Sequence, residues 1–236
     1  RYSSIEKIDM VEIDELVVRA SQEFLPITAS KLEEDSRIHL YFEDGLRARF
    51  LGFNVAARSN TPDHETADKM AERFESMGVN LIRLHAADAP VGERPGSWSS
   101  CKEAPLLDYA SGTSRKFNPE GLDRFDYFVA KLKEKGIYLH IDLIVARAFL
   151  PGDDMEYPGG APSCLKRHTM YNARMIQLQK EYAKELLCHV NQYTGLALID
   201  DPTVVTIQIN NEDSAIKWVM EADAGEQMKP YRDEVQ

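Results

Sequence analysis

Between residues 48 and 212 the chain repeats one unit: a short apolar strand, an amphipathic helix, and a glycine or Asp-Pro break before the next strand. Ala48 to Val55 reads as a strand after the turn Glu43-Asp44-Gly45, and Thr66 to Met77 as a helix with Ala67, Met70, Ala71 and Phe74 on one stripe. Gly78 stops that helix, and Val79 to His85 is the next strand. Asn118-Pro119-Glu120 opens a second helix, with an N-cap and a proline at N1; Gly136 ends it, and Ile137 to Leu143 follows as a strand. A third helix, Tyr171 to His189, leads through Asp200-Asp201-Pro202 into Val204 to Glu212. The order β-α-β-α-β-α-β is that of crossovers building a parallel sheet, so the fold class expected is α/β. An open doubly wound sheet and a closed barrel both fit. The first βα turn, Ala56-Ala57-Arg58-Ser59-Asn60, has neither GxGxxG nor GxxxxGK[ST]. The expectation is therefore a (β/α)8 TIM barrel of which this chain supplies about the first four βα units.

Each strand ends in polar groups on what would be one rim: Asn54, then Arg83 and His85, then His140 and Asp142, then Asn211 and Glu212. Convergence at the carboxyl ends of strands is where such folds place ligands and acids. The net charge of −11 and the absence of a Lys/Arg cluster exclude a nucleic-acid partner and favour neutral or weakly charged substrates. No stretch approaches the roughly 20 apolar residues that span a bilayer, so no membrane partner is expected. Cys101, Cys164 and Cys188 show no CxxC spacing and are read as free or buried thiols. His85, His140, Asp142 and Glu212 include metal-binding types, but without HExxH or comparable spacing; no metal and no cofactor is expected.

Phe50-Leu51-Gly52-Phe53-Asn54, Gly78 to His85, Gly136 to Asp142 and Ile209-Asn210-Asn211-Glu212, in that order, resemble the first four strands of a clan A glycoside hydrolase. The nearest pattern is that of the cellulase-like glycoside hydrolase family 5, over about residues 44 to 220. The resemblance implies retaining hydrolysis of a β-linked glycoside or polysaccharide, with Glu212 as general acid/base, Asn211 on the sugar 2-hydroxyl and Arg83 supporting the catalytic centre. The nucleophile would lie on a seventh strand, outside this chain. The resemblance favours a secreted or periplasmic protein; no signal peptide is visible within a sequence whose first residue is Arg1 rather than Met, which leaves the compartment open.

The domain expectation is a residue 1–43 extension or barrel-bottom cap, in which Ile27 to Leu32 and Ile38 to Phe42 read as short strands. Residues 44–236 would then form the N-terminal half of the catalytic domain, its C-terminal half absent. The partners expected are a carbohydrate substrate and that second half-barrel, without which the fragment should be inactive, because the chemistry needs two carboxylates across the sugar. His85, Asn54, His140 and Trp218 are further substrate-contact candidates, and Tyr109 and Trp98 lie in loops at the same face. Two other readings compete: a carbohydrate-binding barrel without catalysis, and a metal-dependent barrel hydrolase.

Overall fold

The structure, a computed structural model, describes the backbone of residues 8–11 and 38–41 and, with side chains, residues 49–90, 104–154 and 172–212. The chain divides into two compact units, Arg1–Phe50 and Leu51–Gln236. In the first, β1 (Ile8–Val11) pairs in parallel with β2 (Ile38–Tyr41), in a register running from Ile8 opposite Ile38 to Val11 opposite Tyr41. Parallel neighbours need a long connection, and residues 12–37 supply its length. The strand expected at 38–42 is found as β2, that expected at 27–32 lies outside the described residues, and β1 was not anticipated.

In the second unit β3 (Gly52–Ala56), β4 (Leu81–His85), β5 (Tyr138–Ile144) and β6 (Val204–Asn210) form one parallel sheet in sequence order. The helices α1 (His64–Ser76), α2 (Pro119–Glu134) and α3 (Ala173–Cys188) connect successive strands. Each begins on a short polar side chain that satisfies first-turn N–H groups: Asp63 accepts from Thr66, Asn118 from Glu120 and Gly121, and Asn172 from Met175. Gly136, at φ 67°, turns the chain out of α2 toward β5.

Strand alternation divides the sheet into two faces. Val55, Ile82, Leu84, Leu139 and Ile141 point into a core shared with Ala67 and Ala71 of α1, Phe125, Phe128, Val129 and Leu132 of α2, and Tyr182 and Leu186 of α3. Burying each large apolar side chain contributes about 1.5–3 kcal/mol, which dominates the stability of this layer. The intervening residues Arg83, His85, His140, Asp142 and Gln208 are polar and take the other face.

The barrel expectation is corrected here. Among the described residues the sheet is open, with β3 and β6 as its edges rather than neighbours in a closed ring. A βα repeat builds either architecture, and neither the missing glycine-rich first βα turn nor the polar strand ends, which an open parallel sheet also carries, decides for a barrel. Beyond the strand ends, two buried side chains hold the loops. Asp88 accepts from the N–H groups of Val145 (2.9 Å), Ala146 (3.1 Å) and Arg147 (2.9 Å), tying the turn after β5 to the turn after β4. The Arg147 guanidinium donates to Ser114 Oγ (3.0 Å), Ser114 O (2.8 Å) and Leu178 O (2.9 Å), and lies 5.3 and 5.2 Å from the ring centroids of Phe149 and Tyr182.

Candidate functional site

Asp142 is the hub of the polar face. Its carboxylate, with 1% of the side chain exposed, receives Arg83 Nε at 3.2 Å on Oδ1 and Arg83 Nη2 at 2.8 Å on Oδ2. His85 Nδ1 lies 2.5 Å from Oδ2, and His140 Nε2 lies 3.1 Å from Oδ1. The His140 nitrogen is buried and off the line that a hydrogen bond requires, so it packs beside the carboxylate without a bond to it. Arg83 Nη2 also donates to Gln208 Oε1 (3.0 Å) and Asn211 Oδ1 (2.7 Å). Register explains the meeting: Arg83 stands opposite His140 across β4 and β5, and Asp142 opposite Gln208 across β5 and β6.

Burial alone pushes the Asp142 carboxyl up; the close approach of the His140 and His85 rings and of the Arg83 guanidinium, with the Arg83 charge, outweighs it and holds the group below its ordinary value. Asp88 goes the other way, because complete burial outweighs its three backbone donors and raises it. The arrangement is an ion-pair network around one ionised carboxylate, able to hold Arg83 and His85 in fixed orientations.

Of the expected site residues, Arg83, His85, His140 and Asn211 come together around Asp142. Glu212 follows Asn211 on an exposed turn with φ 54°, and Asn54 is exposed on β3 opposite Arg83. Trp218 and Trp98 lie outside the described residues. Tyr109 is half-buried, and its hydroxyl donates to Asp88 O at 2.6 Å. Sequence reading missed the central place of Asp142 and the part played by Gln208, although strand alternation puts both on the Arg83 face. Asp88 and Arg147 carried no signal, because their partners are mostly backbone groups of distant loops. Among the described residues, no group of three or more His, Cys, Asp or Glu could hold a metal, and no helix is long and apolar enough to cross a membrane.

A family model for the spermine/spermidine synthase domain matches residues 1–73. The chain is 66% identical over 47 residues to a polyamine aminopropyltransferase of Alkaliphilus oremlandii (strain OhILAs), an overlap of 20% of this chain and 16% of that protein. It is 64% identical over 47 residues to the protein of the same name from Clostridium perfringens (strain SM101 / Type A), with the same coverage of 20% and 16%. The matched stretch thus spans about one sixth of the length of these curated relatives. Among solved structures, an endo-1,4-beta-mannanase from Rhizomucor miehei aligns with a TM-score of 0.53 and 23% identity, over 72% of this chain and 45% of that one. That likeness concerns fold alone, and fold does not carry activity.

These findings overturn the glycoside hydrolase resemblance. The specific sequence likeness is to aminopropyltransferases, so retaining glycoside hydrolysis, the hydrolase class, the two competing barrel readings and the carbohydrate substrate are withdrawn. Nothing supports a complementary half-barrel as partner.

Proposed function

We propose that this chain takes part in transferring an aminopropyl group to a polyamine. The observation that carries the reading is the likeness of residues 1–73 to the spermine/spermidine synthase domain, with identity up to 66% over 47 residues. The parallel pairing of β1 and β2 supports it. Glu12 is joined directly to Val11, and Glu43 and Asp44 come two and three residues after Tyr41, so both strands lead straight into carboxylates. In parallel α/β sheets, ligands sit beyond the carboxyl ends of strands, where an acidic side chain accepts hydrogen bonds from ribose hydroxyls.

The reaction forms a bond from the acceptor nitrogen to the aminopropyl carbon and breaks the bond from that carbon to its leaving group. A sulfonium donor suits it, since the sulfur departs with the electron pair as a neutral thioether. The acceptor ammonium, with an ordinary pKa of about 10, must first give its proton to a base, and carboxylates can both hold the cation and relay that proton. The net charge of −11 attracts a polycation. In the second unit, we read Glu212 as a side chain retained for use rather than for stability, because a left-handed backbone at a non-glycine residue is strain that persists mainly at working sites.

The test is to incubate the full chain with spermidine and a nucleoside-sulfonium aminopropyl donor and to follow formation of the longer polyamine. Turnover is expected, with the donor KM raised tenfold or more in Glu12→Gln and Asp44→Asn. Absence of transfer together with absence of calorimetric donor binding would sink the reading.

A further inference from the structure

A cavity of about 380 Å³ opens between the N-terminal halves of α1 and α2. That volume suits a small organic molecule. Arg58, Ser59, Thr61 and Pro62, from the turn between β3 and α1, form one wall. Asp63, Thr66 and Met70 at the start of α1 form the other, with Arg124 of α2. The turn is held from beneath by Asn60, fully buried, which donates from Nδ2 to Ala57 O (2.9 Å) and His85 O (2.7 Å). Thr61 N donates back to Arg58 O at 3.3 Å. The wall is thus in place before a ligand arrives, which lowers the cost of binding.

In a chain of net charge −11, this cavity is lined by two arginines against one carboxylate. Among the described residues, the Arg58 guanidinium has neither an ion pair nor a hydrogen bond. Arg124 is paired with Glu120, Nη2 to Oε1 at 2.5 Å, but that carboxylate is 63% exposed. Such a pair is weak in water and yields to a better anion. A phosphate monoester carries about −1.5 to −2 charges at pH 7 and matches the guanidinium fork, so it answers both cations where a single carboxylate answers one. Asp63 Oδ1 accepts from Thr66 N at 2.8 Å, and that N–H, with the charges of Arg124 and Lys69, holds the Asp63 carboxyl below its ordinary value. An ionised carboxylate repels phosphate but accepts from a hydroxyl. Pro62 and Met70 add apolar surface against which carbon atoms pack. A ligand that satisfies all of these joins a phosphate to a hydroxyl-bearing carbon skeleton.

We propose that the cavity between α1 and α2 binds a phosphate monoester of a small polyol, its phosphate between Arg58 and Arg124 and a hydroxyl on Asp63. The site is separate from the Asp142 network and independent of the aminopropyl reading. Calorimetric titration of the full chain with ribose 5-phosphate should give a Kd below about 1 mM, with inorganic phosphate at least tenfold weaker and ribose not binding at about 10 mM. Arg58→Gln and Arg124→Gln should each weaken the sugar phosphate at least tenfold. Asp63→Asn keeps a side chain that caps α1 but removes the charge, so it should narrow the gap between sugar phosphate and inorganic phosphate. Arg73→Gln, on the last turn of α1 and outside the cavity, should change nothing. Far-UV circular dichroism should be the same for all four variants. Failure of ribose 5-phosphate to bind at about 10 mM overturns the proposal, as does binding no tighter than that of inorganic phosphate. So does binding that is indifferent to Arg58→Gln and Arg124→Gln, or that Arg73→Gln weakens as much as they do.

Discussion

At Glu212 the backbone adopts φ 54°, and Ala57 and Ala86, the residues that follow β3 and β4, sit at φ 51° and 55°. A left-handed conformation costs a residue with a Cβ about 1–2 kcal/mol, whereas glycine bears no such cost. Glu212→Gly should therefore stabilise the protein by about 0.5–1 kcal/mol in urea unfolding, after allowing for the extra freedom of glycine in the unfolded chain. Destabilisation would mean that the Glu212 side chain holds the fold. Asp142→Ala has the opposite sign: it strands Arg83, His85 and His140 on a half-buried face and should cost about 3–5 kcal/mol. The pH dependence follows from the depressed Asp142 value. Its contribution is complete above the ordinary carboxylate pKa of about 3.9 and disappears as pH falls through the lower folded value. Asp88, raised by burial, contributes below the ordinary value and loses that contribution as pH rises through its folded one. In Asp142→Asn, the fall of the urea midpoint below about pH 4 should be shallower than in the unsubstituted protein.

Among the elements, α2 shows close approach prevailing over propensity. A methyl group on Gly121 would lie 2.0 Å from Pro105 O and 2.9 Å from Ala104 O. Alanine is the better helix former by about 1 kcal/mol, yet a backbone oxygen cannot swing aside, so Gly121→Ala should destabilise by about 1–3 kcal/mol in thermal unfolding. A neutral or stabilising result would show that the 104–105 segment yields. Helices and second-unit strands were legible because their signals are local: Asn118-Pro119 at a start, Gly136 at a stop, apolar runs between. The residues of the polar network were legible as strand-end polar groups, but their pairing was not. Arg83 meets Asp142 across 59 positions and Asn211 across 128, distances that only register fixes. Barrel closure was illegible for a related reason, since open and closed sheets share the βα unit. In the first unit, β1 is four residues long, too short for its alternation to register, and Glu43-Asp44-Gly45 reads as a turn before it reads as a ligand.

For the molecule as a whole, the excess of 39 acidic over 28 basic residues sets the field that the proposed polyamine acceptor would meet. That attraction is screened by salt, with a Debye length of about 10 Å at 0.1 M and about 3 Å at 1 M. The KM for a polyamine acceptor should rise several-fold across that range while kcat changes little. A KM indifferent to salt would mean that carboxylates do not guide the acceptor. The uncharged stretch Val204–Asn210 has a further consequence before the protein is folded at all. Seven neutral residues, four of them Val or Ile, form a segment of the kind that stacks into cross-β fibrils. Asp200-Asp201 on one side and Glu212-Asp213 on the other act as gatekeepers, their mutual repulsion keeping nascent chains apart. Once acid neutralises those four carboxylates, the unfolded chain loses that protection and fibril growth from this segment should begin.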